Sequence, residues 1–308
     1  MMNSVDIDRK EVVNNTRQLT CFASLPCSID FINQGLSHNN VKVTTFDRHQ
    51  QVSAQYFVKW FNSDAQTALH EIASAKLAMQ HGLAPKIVYS SDECFVTEFI
   101  QGESLQSLLS KQPSQLSSAI RQTAVLLAQL HQIPANNSCK PFDIHALLTT
   151  LTADCNVTAS QANEISQLIA QFPRLEHSNA PVICHGDANF SNVLVDITER
   201  YWLIDYECSI FTDAEFDIAM CIAINQLDDH AISIMQHVYQ QHSGCQLSLS
   251  LVNTYQPYCA LINALWFIAK AKKSPQETIL LKHAEQQLTR IEAYTTPCLL
   301  EQLFTHST

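Results

Sequence analysis

An ordered set of polar residues in the second half of the chain has the types and spacing that phosphoryl transfer requires. Asp187 lies two residues after His185 and five before Asn192, and hydrophobic stretches then lead to Asp205. In phosphoryl transfer, one carboxylate orients the attacking hydroxyl and accepts its proton, while an amide oxygen and a second carboxylate hold Mg²⁺. Mg²⁺ is a hard cation that prefers the oxygen ligands which Asn and Asp supply. We therefore predict Asp187 as the general base and Asn192 and Asp205 as the metal ligands.

Three more polar residues belong to the same segment. Glu207 follows Asp205 by two residues, so extended backbone would point both side chains to one side, and we expect Glu207 to reach the metal through water or to contact the acceptor. His185 is expected to hold the loop by a hydrogen bond, and Asp217 to cap backbone amides of that loop. The alternative is a pair of buried strands with incidental polar residues, but charged groups beside apolar strands are costly without a partner.

A lysine and a glutamate in the first quarter of the chain are candidates for orienting phosphates. Lys59 lies in the apolar and aromatic run 56–61, where a buried ammonium needs an anionic partner. Glu71 is the only acid between residues 65 and 91, and a helical pattern places it on the element that follows. This order is the one that a strand–helix ion pair requires, so we predict a Lys59–Glu71 pair beside nucleotide phosphates. An edge-strand lysine and a solvated glutamate are the alternatives.

The remaining nucleotide contacts are predicted from position along the chain. Residues 35–40 form a turn in which backbone amides and the Ser37 hydroxyl are suited to a phosphate, although an ordinary hairpin turn fits the composition equally well. Extended backbone from Glu98 to Ile100 offers the acceptor and donor that an adenine ring needs, with a plain core strand as the alternative.

Aromatic residues near the C-terminus are candidates for the acceptor site. Tyr255, Tyr258 and Trp266 share one helical stretch, and aromatic faces can hold a quaternary ammonium or a thiazolium-like cation. Packing of that helix into the core is the alternative.

The periodicity predicts an α+β protein with a boundary near residue 100. A strand-rich N-terminal domain, 1–100, would contain the nucleotide-binding sheet and one helix, and a helical C-terminal domain, 101–308, would contain the catalytic and metal loops and the acceptor site. The predicted strands are 28–33, 41–46, 52–61, 86–89, 94–99 and two within 193–205; the predicted helices are 64–81, 105–109, 113–131, 142–151, 160–172, 216–227, 229–242, 248–272 and 276–293, after a helix or arm in 1–20.

Composition narrows the classes of partner. The formal net charge of −11 argues against a nucleic-acid partner and is compatible with a cationic substrate, although plain solubility also explains it. We see no apolar run of the roughly 18 residues that a membrane span needs, and no signal peptide. The 11 cysteines are scattered without a C-x-x-C pair, which predicts reduced thiols in a cytoplasmic protein rather than a zinc site.

Taken together, these residues resemble the aminoglycoside phosphotransferase and choline kinase superfamily, and the choline/ethanolamine kinase branch in particular. The resemblance extends from about residue 31 to about residue 272 and is strongest in Val182–Asp187, Leu203–Ser209 and Phe216–Ile218. It implies a bilobal protein-kinase-like fold with a small antiparallel-sheet N-lobe and a mainly helical C-lobe. It further implies ATP, Mg²⁺ and a small hydroxylated acceptor, with Asp187 as base and Lys59–Glu71 as the phosphate-orienting pair.

Several positions depart from that branch and leave the acceptor open. Asn263 stands where choline kinases have a second tryptophan, and residues 223–225 lack the acid that helps to bind the ammonium group. His38 replaces an asparagine of the nucleotide loop, and Asn189 stands where a histidine or glutamine is usual.

We expect an ATP-dependent kinase for a small, choline- or ethanolamine-like acceptor. A thiamine or aminoglycoside-type phosphotransferase and a nucleotide-binding pseudokinase module remain alternatives. A protein kinase is disfavoured because D-F-G and A-P-E are missing. The oligomeric state is not predicted.

Overall fold

The chain divides into two compact units that differ in secondary structure. The computed structural model describes residues 9–32, 38–134, 142–176, 180–272 and 274–294. The N-terminal unit contains Met1–Lys111 together with Ser191–Ser209, and the C-terminal unit contains Gln112–Phe190 and Ile210–Thr308. The predicted division at residue 100 stays a prediction.

The N-terminal unit is built on an antiparallel sheet in the order β1-β2-β3-β5-β4. Its elements are α1 Arg9–Gln18, β1 Cys27–Phe31, β2 Asn39–Phe46, β3 Val52–Trp60, α2 Ala65–Gln80, β4 Ile87–Ser90, β5 Cys94–Glu98, β6 Gly102–Ser104, α3 Leu105–Lys111, β8 Val193–Asp196 and β9 Tyr201–Leu203. Alternating valines of β2, with Val58 and Trp60 of β3, bury one face of the sheet against α1. The indole Nε1 of Trp60 donates to Thr16 Oγ1 at 3.0 Å, which satisfies a buried polar atom at this contact.

A second sheet has three strands in the order β6-β8-β9. It positions the residues that precede β8 and those that follow β9. Gly102 of β6 lies against the backbone of β8, where an added Cβ would come within 2.0 Å of Val195 O. Only glycine allows β6 and β8 to approach this closely.

The C-terminal unit is mainly helical. Its elements are α4 Leu116–His131, α5 Ile144–Asp154, α6 Ala159–Ile169, β7 Val182–Cys184, β10 Ile210–Thr212, α7 Ala214–Ile224, α8 Asp229–Ser243, α9 Leu249–Ala271 and α10 Glu277–Leu288. α9 is buried along most of its length and packs against α5, α7 and α10, so it is the central helix of this unit. β7 and β10 pair antiparallel and flank the loop that contains Asp187.

The predicted α+β class is confirmed, with an antiparallel sheet in the N-terminal part and helices in most of the C-terminal part. Every predicted helix is present within a few residues of its expected bounds. The strands β6, β7 and β10, of three residues each, were not among the predicted elements. The nine described cysteines are free thiols. Within the described residues, the helices are too short or too polar to cross a lipid bilayer.

Candidate functional site

Lys59 of β3 and Glu71 of α2 form a buried ion pair. Lys59 Nζ lies 2.7 Å from Glu71 Oε1, and the two residues are 4% and 1% exposed. Ala68 and Ile72 of α2 pack with aromatic residues of the sheet, and Glu71 lies on the same face because it is one turn after Ala68. Asp64 caps the start of α2 by accepting the Thr67 N–H. The structure thus brings together the two residues whose pairing the sequence predicts.

Two further carboxylates surround the same ammonium group. Asp205 Oδ1 lies 2.7 Å from Lys59 Nζ and Glu207 Oε2 lies at 3.6 Å. Burial by itself lowers the pKa of Lys59, but Asp205, Glu71 and Glu207 more than offset it, so the pKa is raised above its ordinary value. Burial raises the pKa of Glu71 to about 7, and the charge of Lys59 compensates only in part. One cation therefore faces an excess of negative charge.

Strand register brings Asn192 and Asp205 to the same end of the β8–β9 pair. Val193 is paired with Leu203, and Ile204 N–H donates to Asn192 O at 3.0 Å, so Asp205 follows directly after this contact. Asp205 has a left-handed backbone with φ 67° and ψ 69°, a conformation that is unfavourable for a residue with a side chain. Its carboxylate is 36% exposed and remains accessible despite its contact with Lys59.

These oxygens fit a divalent cation by their chemistry. Asn192 and Asp205 supply hard amide and carboxylate oxygens, and the excess negative charge around Lys59 would be offset by such an ion. The binding of a metal ion by Asn192 and Asp205 stays a prediction.

His38 contacts Glu207, which sequence reasoning did not foresee. His38 Nε2 lies 2.9 Å from Glu207 Oε2, and His38 Nδ1 accepts the Asn62 N–H at 3.0 Å. Because Nδ1 is an acceptor, the neutral ring carries its proton on Nε2 and donates it to Glu207. His38 stands where the family that the sequence resembles has an asparagine. It thus contacts one of the carboxylates near Lys59.

Asp187 lies on a loop of the C-terminal unit. Its Oδ1 accepts a hydrogen bond from Asn189 Nδ2 at 2.8 Å, and its N–H donates to His185 Nδ1 at 3.3 Å. His185 is fully buried, so its predicted role in holding the loop agrees with these contacts. Gly186 between them has φ 77°, which favours glycine.

One face of α7 supports this loop through side chains spaced four residues apart. Asp217 accepts the N–H groups of His185 and Gly186 at 2.7 and 2.9 Å, as predicted for a capping residue. Cys221 Sγ lies 3.3 Å from Ala188 O. Asn225 donates to Ala188 O and accepts the Phe190 N–H. We call this set of Asp217, Cys221 and Asn225 the α7 support.

Asp217 is itself held by a buried histidine. His131 Nε2 lies 3.0 Å from Asp217 Oδ2, and His131 Nδ1 lies 2.8 Å from the Tyr239 hydroxyl. Burial alone would raise the pKa of Asp217, but the hydrogen bond and charge of His131 and the contacts with His185 hold it below its usual value. Asp217 therefore remains an ionised acceptor for the loop amides. The sequence contains no pairing signal for His131 or Tyr239, which lie on α4 and α8.

The predicted adenine segment is only partly engaged in the sheet. Glu98 N–H donates to Lys86 O at 2.8 Å, and Phe99 N–H donates to Gln55 O at 3.0 Å. The N–H groups of Glu98 and Phe99 are thus used within the protein, and the adenine contact predicted for Glu98–Ile100 stays a prediction. Ser37 and the rest of the predicted phosphate turn through residue 37 lie outside the described residues.

The aromatic residues of α9 are mostly part of the core. Tyr258 is 3% exposed, packs edge-on against Phe172, and donates its hydroxyl to Pro173 O at 3.0 Å. Tyr255 donates to Asp213 Oδ2 at 2.7 Å. Trp266 is half-buried, eight residues or about 12 Å of helix beyond Tyr258, with Lys270 Nζ 5.3 Å from its ring centroid. The geometry agrees with the packing alternative for both tyrosines, and the substrate role of Tyr258 and Trp266 stays a prediction.

Comparison with known proteins provides an independent line of observation. The chain matches the sequence model of the phosphotransferase enzyme family over residues 28–246, which is well over half of its length. It is 28% identical over 163 residues to mouse ethanolamine kinase 2, a match that covers 48% of this chain and 40% of the mouse protein. The match thus spans less than half the length of that curated relative.

Solved structures of low sequence identity share the fold. A choline kinase from Cryptosporidium parvum superposes with a TM-score of 0.69 at 15% identity, covering 96% of this chain and 98% of that one. LicA in complex with AMP superposes with a TM-score of 0.68 at 16% identity, covering 92% and 98%. At these identities the likeness establishes the kinase-like fold alone.

Proposed function

We propose that this chain, which belongs to the phosphotransferase enzyme family, transfers the γ-phosphate of ATP to a hydroxyl group of a small cationic acceptor of the choline or ethanolamine type. The observation that carries the proposal is the buried Lys59–Glu71 pair with Asp205 at 2.7 Å from the same ammonium. A buried lysine fixed between a helix carboxylate and a metal-binding candidate is what a kinase needs to orient phosphates.

Three kinds of nucleotide contact follow from the proposal. Lys59, held by Glu71, binds phosphate oxygens, and Ser37 contributes to the phosphate contacts. The carbonyl of Glu98 and the N–H of Ile100 bind the adenine ring, since the N–H of Glu98 is engaged within the sheet. The AMP bound to the structural relative LicA supports an adenine nucleotide.

Asn192 and Asp205 are proposed to hold Mg²⁺ through their side-chain oxygens. When bound, the ion offsets the negative charge of the phosphates and of the carboxylates around Lys59. The carboxylate of Asp205 fits this role, because its side chain is 36% exposed despite the contact with Lys59.

Asp187 is proposed to act on the acceptor hydroxyl. Its carboxylate accepts the hydroxyl proton as the bond from the acceptor oxygen to the γ-phosphorus forms and the bond from that phosphorus to the ADP leaving group breaks. Its main contribution is orientation, since the transition state is loose. The amide of Asn189 holds Oδ1 of Asp187 and so limits the rotation of the carboxylate. Glu207 and Trp266 are the candidates for contacting a cationic acceptor, by charge and by a ring face respectively.

A single substitution tests the base. Asp187→Ala should lower kcat by about 10² to 10⁴-fold, the usual contribution of general base catalysis, while ATP affinity stays within about twofold. The assay measures ADP release with Mg²⁺ and a panel of acceptors: choline, ethanolamine, thiamine, aminoglycosides and amino sugars. Binding of a fluorescent ATP analogue reports on affinity.

The matched control is Asp229→Ala, an exposed aspartate in the first turn of α8. It should leave kcat unchanged. Full activity of Asp187→Ala would refute the assignment of the base. A wild-type protein that binds nucleotide but stays inert with every acceptor would instead indicate a binding module and end the kinase proposal.

A further inference from the structure

Asn225, at the C-terminal end of α7, joins two backbone groups of the loop that contains Asp187. Its Oδ1 accepts the Phe190 N–H at 2.9 Å, and its Nδ2 donates to Ala188 O at 3.1 Å. These two backbone groups lie on either side of Asn189, whose amide contacts the Asp187 carboxylate. We propose that Asn225 is a positioning residue that holds residues 188–190 in the backbone conformation in which Asn189 orients Asp187. The inference rests on the proposed function.

The contacts of Asn225 exceed what a helix end needs. Its Nδ2 also lies 2.9 Å from Cys221 O, a carbonyl at the end of α7 that the backbone N–H of Asn225 already contacts at 3.2 Å. The two loop contacts instead reach residues 35 and 37 positions away in the sequence. A side-chain amide can serve both, because its oxygen accepts and its NH₂ group donates.

Burial makes the exchange of these bonds for water unfavourable. Ala188 is fully buried and Phe190 is 4% exposed, so an unmatched carbonyl or N–H there has little access to solvent. Cys221 Sγ approaches the same Ala188 carbonyl, but a thiol is a weak donor. Asn225 is therefore the strong polar partner of the loop's second half within the α7 support, as Asp217 is of its first half.

Loss of Asn225 should alter the orientation of the Asp187 carboxylate and leave the binding of the nucleotide unchanged. Asp217 would still hold His185 and Gly186, so the loop keeps its start. Residues 188–190 would lose the hydrogen bonds at Ala188 O and Phe190 N–H, and the Asn189 amide that contacts the Asp187 carboxylate would be held less firmly. Since a displacement of about 1 Å can cost on the order of 10²-fold in rate, we expect kcat to fall while the KM for ATP is retained.

The test compares Asn225→Ala and Asn225→Asp with Asn253→Ala. Asn253 is an exposed residue of α9 whose amide contacts only Gln256 among the hydrogen bonds described for it, at 3.4 Å. Asn225→Asp retains an acceptor for the Phe190 N–H and loses the donor to Ala188 O. Steady-state kinetics gives kcat and KM, and amide hydrogen exchange of the peptide spanning 185–190 reports on the loop without reference to activity.

We expect Asn225→Ala to lower kcat by about 10 to 100-fold, to leave the KM for ATP within about twofold, and to accelerate exchange at Phe190. Asn225→Asp should protect the Phe190 amide better than Asn225→Ala does, and Asn253→Ala should match the wild type. A folded Asn225→Ala with wild-type kcat, or with unchanged exchange at Phe190, overturns the inference. If Asn225→Ala does not fold, the criterion is the kcat of Asn225→Asp: this variant loses the donor to Ala188 O, so a wild-type kcat overturns the inference.

The outcomes separate this inference from the proposed function. A wild-type protein without kinase activity refutes the proposed function and with it a catalytic role for Asn225. An active wild type together with an Asn225→Ala variant of unchanged kcat or unchanged exchange at Phe190 refutes the positioning role alone.

Discussion

Lys59 is a single buried cation that faces the carboxylates of Glu71, Asp205 and Glu207. Because one ammonium group faces three carboxylates, the loss of the ammonium and the loss of one carboxylate should destabilise the protein by different amounts. Removing one carboxylate leaves the ammonium with the other two, whereas removing the ammonium leaves a buried Glu71 beside like charges. Breaking a buried ion pair typically costs about 3–5 kcal/mol because an uncompensated charge remains.

We therefore predict that Lys59→Met destabilises the protein more than Glu71→Gln does. The loss for Lys59→Met should be about 3–5 kcal/mol, and that for Glu71→Gln clearly smaller. Urea unfolding followed by far-UV circular dichroism, without metal or nucleotide, measures both.

Lys86→Met is the matched control for this prediction. Lys86 lies 3.4 Å from Glu98, but the two side chains are 68% and 52% exposed. Its loss should cost at most about 1 kcal/mol, as for other surface ion pairs. Equal losses for Lys59→Met and Glu71→Gln would contradict the charge imbalance.

Strands and helices convert residues that are distant in sequence into neighbours. The β6-β8-β9 sheet places Asn192 and Asp205 at one end of a strand pair, and it depends on the close approach of Gly102 to β8. α7 has the corresponding role for the Asp187 loop, because a four-residue spacing keeps the α7 support on one face.

We predict that Gly102→Ala destabilises the N-terminal unit by displacing β6 from β8. The added Cβ would lie 2.0 Å from Val195 O and 2.7 Å from Asp196 Cα, and neither backbone atom can rotate away. Overpacking of this kind typically costs about 1–3 kcal/mol. The thermal unfolding midpoint measures the loss.

Gly82→Ala provides the comparison within the same unit. Gly82 has φ 75°, and its added Cβ would meet only the flexible end of Arg200, at 3.1 Å. The cost there should be the conformational one of about 1 kcal/mol, smaller than for Gly102→Ala. A Gly102→Ala variant as stable as the wild type would show that β6 does not need this approach.

Net charge acts at the scale of the whole molecule. With −11 at neutral pH, the chain attracts cations and repels nucleotide anions at long range, and salt screens both effects beyond about 10 Å at 0.1 M. These long-range effects have opposite signs for the two proposed substrates, which makes them separable.

We predict that kcat/KM for a cationic acceptor falls as KCl is raised from about 0.02 to 0.2 M, while kcat/KM for ATP stays constant or rises. Initial-rate kinetics at fixed Mg²⁺ measures both, and the ATP series is the internal control for general salt effects. An acceptor whose kcat/KM rises with salt would show that long-range charge does not favour its binding.

The sequence by itself determined the α+β class, the long helices and the spacing of Asp187, Asn192 and Asp205. Periodicity and residue chemistry are local properties, so a single chain of letters contains them. The same reasoning placed Asp217 correctly as a cap, because an acid at a helix start among apolar residues has few other uses.

The tertiary structure decided which distant residues meet. His38 and Glu207 are 169 residues apart, and Asn225 is 35 residues from the Phe190 amide that it binds. Such contacts depend on strand register and on the packing of α7, which no local pattern encodes. The core position of Tyr258 was open for the same reason: an aromatic residue on a helix looks alike in sequence whether its ring faces a ligand or Phe172.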